Sequence, residues 1–115
     1  MQTPKVSGAV ARVAVVVMFA FVAGPAATAQ AADAAIVFKA RCSGCHGPEG
    51  NASTPAAKNQ GLKDLKSPDV QKKSDAELQQ IIAKGSKKMP GFEKSLGADG
   101  VKDQVAYMRQ LAKKK

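Results

Sequence analysis

Residues 42–46 of this 115-residue chain read Cys-Ser-Gly-Cys-His, and they hold both cysteines and the one histidine of the sequence. No other feature constrains the fold as much. Three soft ligand-type side chains gathered in five positions need one common explanation, and the rest of the chain decides which explanation is open.

The first thirty residues differ from the remainder of the chain. Lys5 and Arg12 give a positive start without an acid, and an apolar run then begins at Val13 and ends near Pro25. Small residues come next, in the order expected of a secretory signal peptide. Cleavage after Ala29 would leave Gln30 as the new terminus; cleavage after Ala31 would leave Ala32, and the second is preferred. The apolar run is shorter than the ~20 residues that span a bilayer, so no stable membrane insertion is expected after cleavage. Residues 1–31 are therefore read as the leader and 32–115 as one domain, in the periplasm. An uncleaved leader would instead anchor the chain to the membrane.

A domain of roughly 84 residues buries a smaller share of its surface than a larger one and often needs a metal, a disulfide or a cofactor to complete its core. Residues 32–115 contain no tryptophan and only Phe38, Phe92 and Tyr107 as aromatics. Something besides side chains is expected to fill the middle. Without Lys5 and Arg12 the net charge falls from +9 to +7. Such a balance suits nucleic acid, anionic lipid or an acidic protein; for an exported chain nucleic acid is set aside.

Three helices are legible. The first is "AADAAIVFKARC", with Asp33 as its N-cap or first-turn acid. Ser74 and Glu77 form a capping box before the Leu78, Ile81, Ile82 stripe, and Gly85 ends that helix. The third is "ADGVKDQVAYMRQLAKKK", with Val101, Val105, Met108 and Leu111 at helical spacing. Residues 47–70 read as a long irregular loop with a short helical turn near 61–66. No segment alternates as a strand would, so the fold class is all-α.

Four chemistries suit the Cys-Cys-His cluster. A Cys42–Cys45 disulfide is permitted in an exported chain but closes too short a loop to stabilise much. A thioredoxin-type pair belongs after a strand, and the sequence before Cys42 is helical. A structural zinc site needs four ligands, and only three are present. The remaining one is covalent haem, for which C-x-x-C-H is the attachment sequence. Two intervening residues set both sulfurs along one porphyrin edge and bring His46 under the iron, while small Ser43 and Gly44 let the backbone approach. This accounts for all three side chains and supplies the missing core.

An electron-carrying iron needs a second axial ligand, and there is no second histidine. Met108 falls on the apolar stripe of the last helix and reads as core packing. Met89 lies in "KKMPGF", where Pro90 restricts it to extended backbone. Met89 is the expected distal ligand.

Together these residues resemble the small single-haem class I cytochromes c of bacteria. The likeness runs from Phe38 through "CSGCHG", the helix "SDAELQQIIAKG" and "KKMPGF" to a last helix carrying Val105, Tyr107 and Leu111. It implies a cytochrome c fold of three to four short helices with long loops around one covalent haem c. Cys42 and Cys45 would be the thioether links, with His46 and Met89 the proximal and distal iron ligands. It also implies that the first and last helices cross, with Phe38 near Tyr107. Ala34 stands where many relatives have glycine. Pro55 matches the proline whose carbonyl orients the proximal imidazole in relatives.

The function expected is one-electron transfer by a monomer, not enzyme catalysis. Acidic redox proteins would dock transiently on a positive rim of Lys58, Lys84, Lys87 and Lys88. Two rivals remain: an electron-entry subunit of a larger complex, and a gas-binding haem sensor.

Overall fold

The computed structural model describes residues 26–114. Among them the chain is helical, with one isolated antiparallel bridge between Ser86 and Met89. The helices are α1 (Ala26–Arg41), α2 (Ser43–His46), α3 (Pro55–Gln60), α4 (Pro68–Gln71), α5 (Asp75–Lys84) and α6 (Glu93–Lys113). The all-α expectation holds.

Three of these helices are shorter than the sequence patterns reveal, and two lie in the segment read as loop. The turn expected at 61–66 is not helical; the helix lies just ahead of it. Thr54 caps α3 by accepting from the Ala57 amide at 3.0 Å. Pro55 occupies the first helical position, where its missing N–H costs nothing. Gly61 then ends α3 in a left-handed conformation at φ +64°. Ser67 and Pro68 open α4 in the same order.

The long helices adhere more closely to their sequence signals. Both halves of the Ser74–Glu77 capping box form at the start of α5, and Gly85 ends it. Within α6, Gly97 (φ +67°, ψ 174°) breaks the backbone between a first turn and the long segment after it. Asp33 is not a helix start: α1 begins at Ala26, so Asp33 lies two turns inside it. The alanine-rich sequence continues the helix toward the N-terminus. Both expected cleavage points fall within α1, and the part of the expected leader before residue 26 lies outside the described residues.

The crossing of α1 and α6 forms one side of the core. Ala34 and Phe38 are buried against an α6 face that buries Val101, Val105 and Leu111. The Phe38 and Tyr107 rings meet at 5.3 Å and 53°, a tilted pairing worth about 0.5–1.5 kcal/mol beyond area burial. Alanine at position 34 is tolerated at the crossing. On the other side Leu78 of α5 packs with Val105 and Met108, flanked by Leu65, Val70 and Ile82.

Candidate haem-binding site

The helices enclose a cavity of about 710 Å³, inside the ~300–1,000 Å³ range of cofactor pockets. Its wall is mainly apolar. Phe38 comes from α1, Leu62 and Leu65 from the segment after α3, Leu78, Ile81 and Ile82 from α5, and Met108 from α6. Cys42, His46 and Met89 lie in the same wall although Met89 is more than forty positions away in sequence.

Cys42 and His46 reach the cavity together because the C-x-x-C-H segment is itself a helical turn. The Cys42 amide donates to the Phe38 carbonyl, continuing α1, and the His46 amide donates to the Cys42 carbonyl, both at 2.9 Å. Positions i and i+4 share a helix face. Cys45 is exposed and is not part of the cavity wall. Burial raises the Cys42 thiol pKa, opposed by Arg41 and reinforced by Cys45. The two thiols are not joined to each other. Among the described residues no three His, Cys, Asp or Glu side chains converge as metal ligands, so these residues offer no closed zinc shell.

His46 is half-buried, and burial lowers its pKa, which keeps the imidazole neutral and able to act as a ligand. Its Nδ1 is sealed from solvent with no hydrogen-bond partner among the described residues. The Pro55 carbonyl therefore does not accept from it here. Pro55 opens α3, where its carbonyl belongs to the helix ladder, and Thr54 makes the link to the attachment turn instead: its hydroxyl donates to the Cys45 carbonyl at 2.5 Å. The Ala52 amide adds a bond to the His46 carbonyl at 2.8 Å.

Met89 is presented by a tight reverse turn. Ser86 and Met89 exchange two backbone hydrogen bonds, at 3.1 and 2.9 Å, around Lys87 and Lys88. Lys87 has φ +52°, an uncommon conformation for a side-chain-bearing residue. The turn lies against the end of α5. A Cβ on Gly91 would stand 2.7 Å from the Ala83 carbonyl oxygen, an approach only glycine permits. The Phe92 amide, donating to the Ile82 carbonyl at 2.9 Å, closes the loop onto α5.

Residues 29–108 match the family model described as cytochrome C oxidase, cbb3-type, subunit III. The chain belongs to that family. It is a small c-type cytochrome, a haem-containing electron carrier with covalently bound haem c. No curated protein matches the sequence. The cavity suits such a group: its wall is apolar, and a neutral imidazole and a thioether stand in it. A large, mainly apolar group fits a cavity of this size and lining in this cytochrome.

The charges around the cytochrome's cavity differ from the rim read in sequence. Lys63, Lys72, Lys73, Lys87 and Lys88 contribute to the wall, whereas Lys58 and Lys84 do not. Lys84 pairs with Glu93. Asp69 pairs with Lys63 at 2.9 Å and Lys72 at 3.4 Å, which lowers its pKa. Lys73, Lys87 and Lys88 make no ion pair among the described residues. Sequence reasoning missed Lys63, Lys72 and Lys73 because the 61–73 segment gave no sign of folding over the cavity. It also missed Gln104, a polar residue between Val101 and Val105 on the apolar face of α6, and that interruption was the available signal.

Proposed function

We propose that this protein is an exported, monomeric, single-haem cytochrome that carries one electron at a time between redox partners. Cys42 and Cys45 would hold the haem through thioethers, and His46 and Met89 would supply the side chains that ligate its iron. The observation that carries the reading is the common cavity wall of Cys42, His46 and Met89.

Bound haem c would supply a one-electron Fe(III)/Fe(II) couple, whose potential histidine and methionine ligation would raise. The chain's own residues do the rest. The α2 turn fixes His46 relative to Cys42, and burial holds the imidazole neutral. The Ser86–Met89 turn, closed onto α5, holds the thioether in place. Phe38, Leu78 and Met108 exclude water, and a low-dielectric wall disfavours the extra charge of the oxidised iron. A ligand set held on both sides by closed backbone turns suits transfer without ligand exchange, so small gases are expected not to bind.

Export to the periplasm rests on the leader-like first thirty-one residues. Among the described residues no helix is long and apolar enough to cross a membrane. Partners of opposite charge would meet the cavity mouth at Lys73, Lys87 and Lys88. The family description names an oxidase subunit, which favours a second reading: a detached relative of an electron-entry subunit, working inside a complex. Size-exclusion chromatography of the purified protein separates the two, since a free carrier elutes as a monomer and turns over with soluble partners.

The test is expression with haem-attachment machinery. The mass should rise by one haem, and the oxidised spectrum should show the weak far-red band of sulfur-ligated ferric iron. That band should vanish in Met89→Ala while the haem stays attached. A colourless folded protein, or a band unchanged in Met89→Ala, would refute the assignment.

A further inference from the structure

Residues 49–53 read Glu-Gly-Asn-Ala-Ser, and electron transfer gives them no task. Asn-x-Ser, with any residue but proline in the middle, is the acceptor sequence for N-linked glycan transfer in exported chains. Three residues are a short match, so what the fold does with them decides whether they can serve.

Glu49, Asn51 and Ser53 are all exposed. The Asn51 Oδ1 accepts from the Ser53 amide at 3.3 Å, beyond the usual range of such bonds, so the carboxamide can leave it at little cost. The Asn51 Nδ2 and the Ser53 hydroxyl have no hydrogen-bond partner among the described residues. A Cβ built on Gly47 would stand 2.7 Å from the Asn51 Oδ1 and 3.0 Å from the Ser53 hydroxyl. Both sequon side chains therefore stand together over Gly47. The backbone around them is pinned. The Gly50 amide donates to the Gly47 carbonyl at 3.0 Å and the Ala52 amide to the His46 carbonyl at 2.8 Å. Neither Asn51 nor Ser53 lines the haem cavity, so a group attached to Asn51 does not compete for it. Capping alone does not call for this pair, since aspartate makes the same turn and the turn uses no bond from the Ser53 hydroxyl.

We propose that Asn51 is a site of N-linked glycosylation. The inference rests on the export reading, because the enzyme and its donor act on chains that have crossed the membrane. The donor class is an oligosaccharide joined to a lipid through pyrophosphate. The Asn51 Nδ2 forms a bond to the anomeric carbon of the first sugar and loses one proton. The bond from that carbon to the pyrophosphate oxygen breaks, and the lipid pyrophosphate leaves with the electron pair. The Ser53 hydroxyl is the hydrogen-bonding handle for the transferase. The Glu49 carboxylate, two positions before Asn51, offers a charged one to a basic enzyme site. The product carries a bulky hydrophilic group on the loop that follows His46.

The experiment exports the full chain from a bacterial host carrying haem-attachment machinery, an oligosaccharyltransferase and its lipid-linked donor, with an established acceptor protein as control. Intact and peptide masses compare wild type with Asn51→Asp, Ser53→Ala and Ser53→Thr. Wild type and Ser53→Thr should gain one glycan on the peptide containing Asn51. Asn51→Asp keeps an acceptor for the Ser53 amide, so it should load haem as wild type does and carry no glycan. Ser53→Ala should lose the glycan as well. Haem-loaded wild type with bare Asn51, while the control is glycosylated, would overturn the inference, and so would a glycan that persists in Asn51→Asp. A chain kept in the cytoplasm without haem would overturn the export reading and the inference with it.

Discussion

A methyl group on the α-carbon of Gly85 would drive into the carbonyl oxygen of Met89. The same group would stand 2.8 Å from the Gly91 amide nitrogen and 2.9 Å from the Pro90 carbonyl carbon. Gly85 also has φ +81°, which any other L-residue resists. The end of α5 and the Met89 turn are therefore built against each other through backbone, with no side chain between them.

Gly85→Ala should move the Met89 turn. Positive-φ backbone costs about 1–2 kcal/mol and the collision about 1–3 kcal/mol, so a loss of about 2–5 kcal/mol is expected, with a weakened far-red band. Gly61→Ala is the comparison. Gly61 has φ +64° but open space around its α-carbon, so only the first cost applies and the band should remain. Urea unfolding monitored in the far-red and by circular dichroism measures both.

Arg109 ties α6 to the start of α5. Its guanidinium donates to the Gln71 carbonyl at 2.8 Å, the Lys73 carbonyl at 2.6 Å and the Asp75 carboxylate at 2.8 Å. Arg109→Ala should cost about 2–4 kcal/mol, since it strands several acceptors at once. Arg109→Lys should recover less than half, because an ammonium cannot reproduce the planar fork. Both variants should keep a normal far-red band in their folded baseline. A band lost together with stability would show that Arg109 also supports the Met89 turn.

The features legible in the sequence were local. The attachment turn, the Ser74–Glu77 box and the α6 stripe each lie within a few turns of chain, where spacing determines geometry. The Phe38–Tyr107 contact was reached through a family likeness and is present at 5.3 Å. The bonds from Gln104 to Ala34 and from Arg109 to Gln71 were not legible. They join residues 70 and 38 positions apart, and nothing in either local sequence names the other. The α3 start was readable in principle, because Thr54-Pro55 is a cap with a first-turn proline after it, but the surrounding glycines and prolines obscured it. Pro55 shows the limit of likeness: the residue is present, yet its carbonyl serves α3 and leaves Nδ1 of His46 unpartnered among the described residues.

The capping box should make part of the stability depend on acid pH. Glu77 accepts from the Ser74 amide at 2.7 Å and the Ser74 hydroxyl at 3.0 Å, and these bonds lower its pKa from 4.5. The folded value lies below the unfolded one, so its contribution is complete above about pH 4.5 and disappears as pH falls through the lowered value. Urea midpoints measured from pH 7 to pH 2 should decline across that window. Glu77→Gln should flatten that part of the decline while leaving a lower plateau at neutral pH.

Docking should depend on where charge lies as well as on how much there is. Lys87 and Lys88 carry exposed charge in the Met89 turn, whereas Lys63 and Lys72 share Asp69 and Lys84 is held by Glu93. An acidic redox partner, if that is what approaches the cavity mouth, would meet the uncompensated pair first. The double charge reversal Lys87→Glu with Lys88→Glu should slow bimolecular electron transfer from such a partner about tenfold at low ionic strength. At ~0.5 M salt the difference should largely disappear, because the Debye length falls to a few ångströms. Lys102→Glu with Lys113→Glu changes net charge by the same amount at α6 positions outside the cavity wall. Stopped-flow rates across a salt series compare the two doubles. Equal slowing would mean that net charge alone steers the encounter, while a larger effect at 87 and 88 places the docking surface over the Met89 turn.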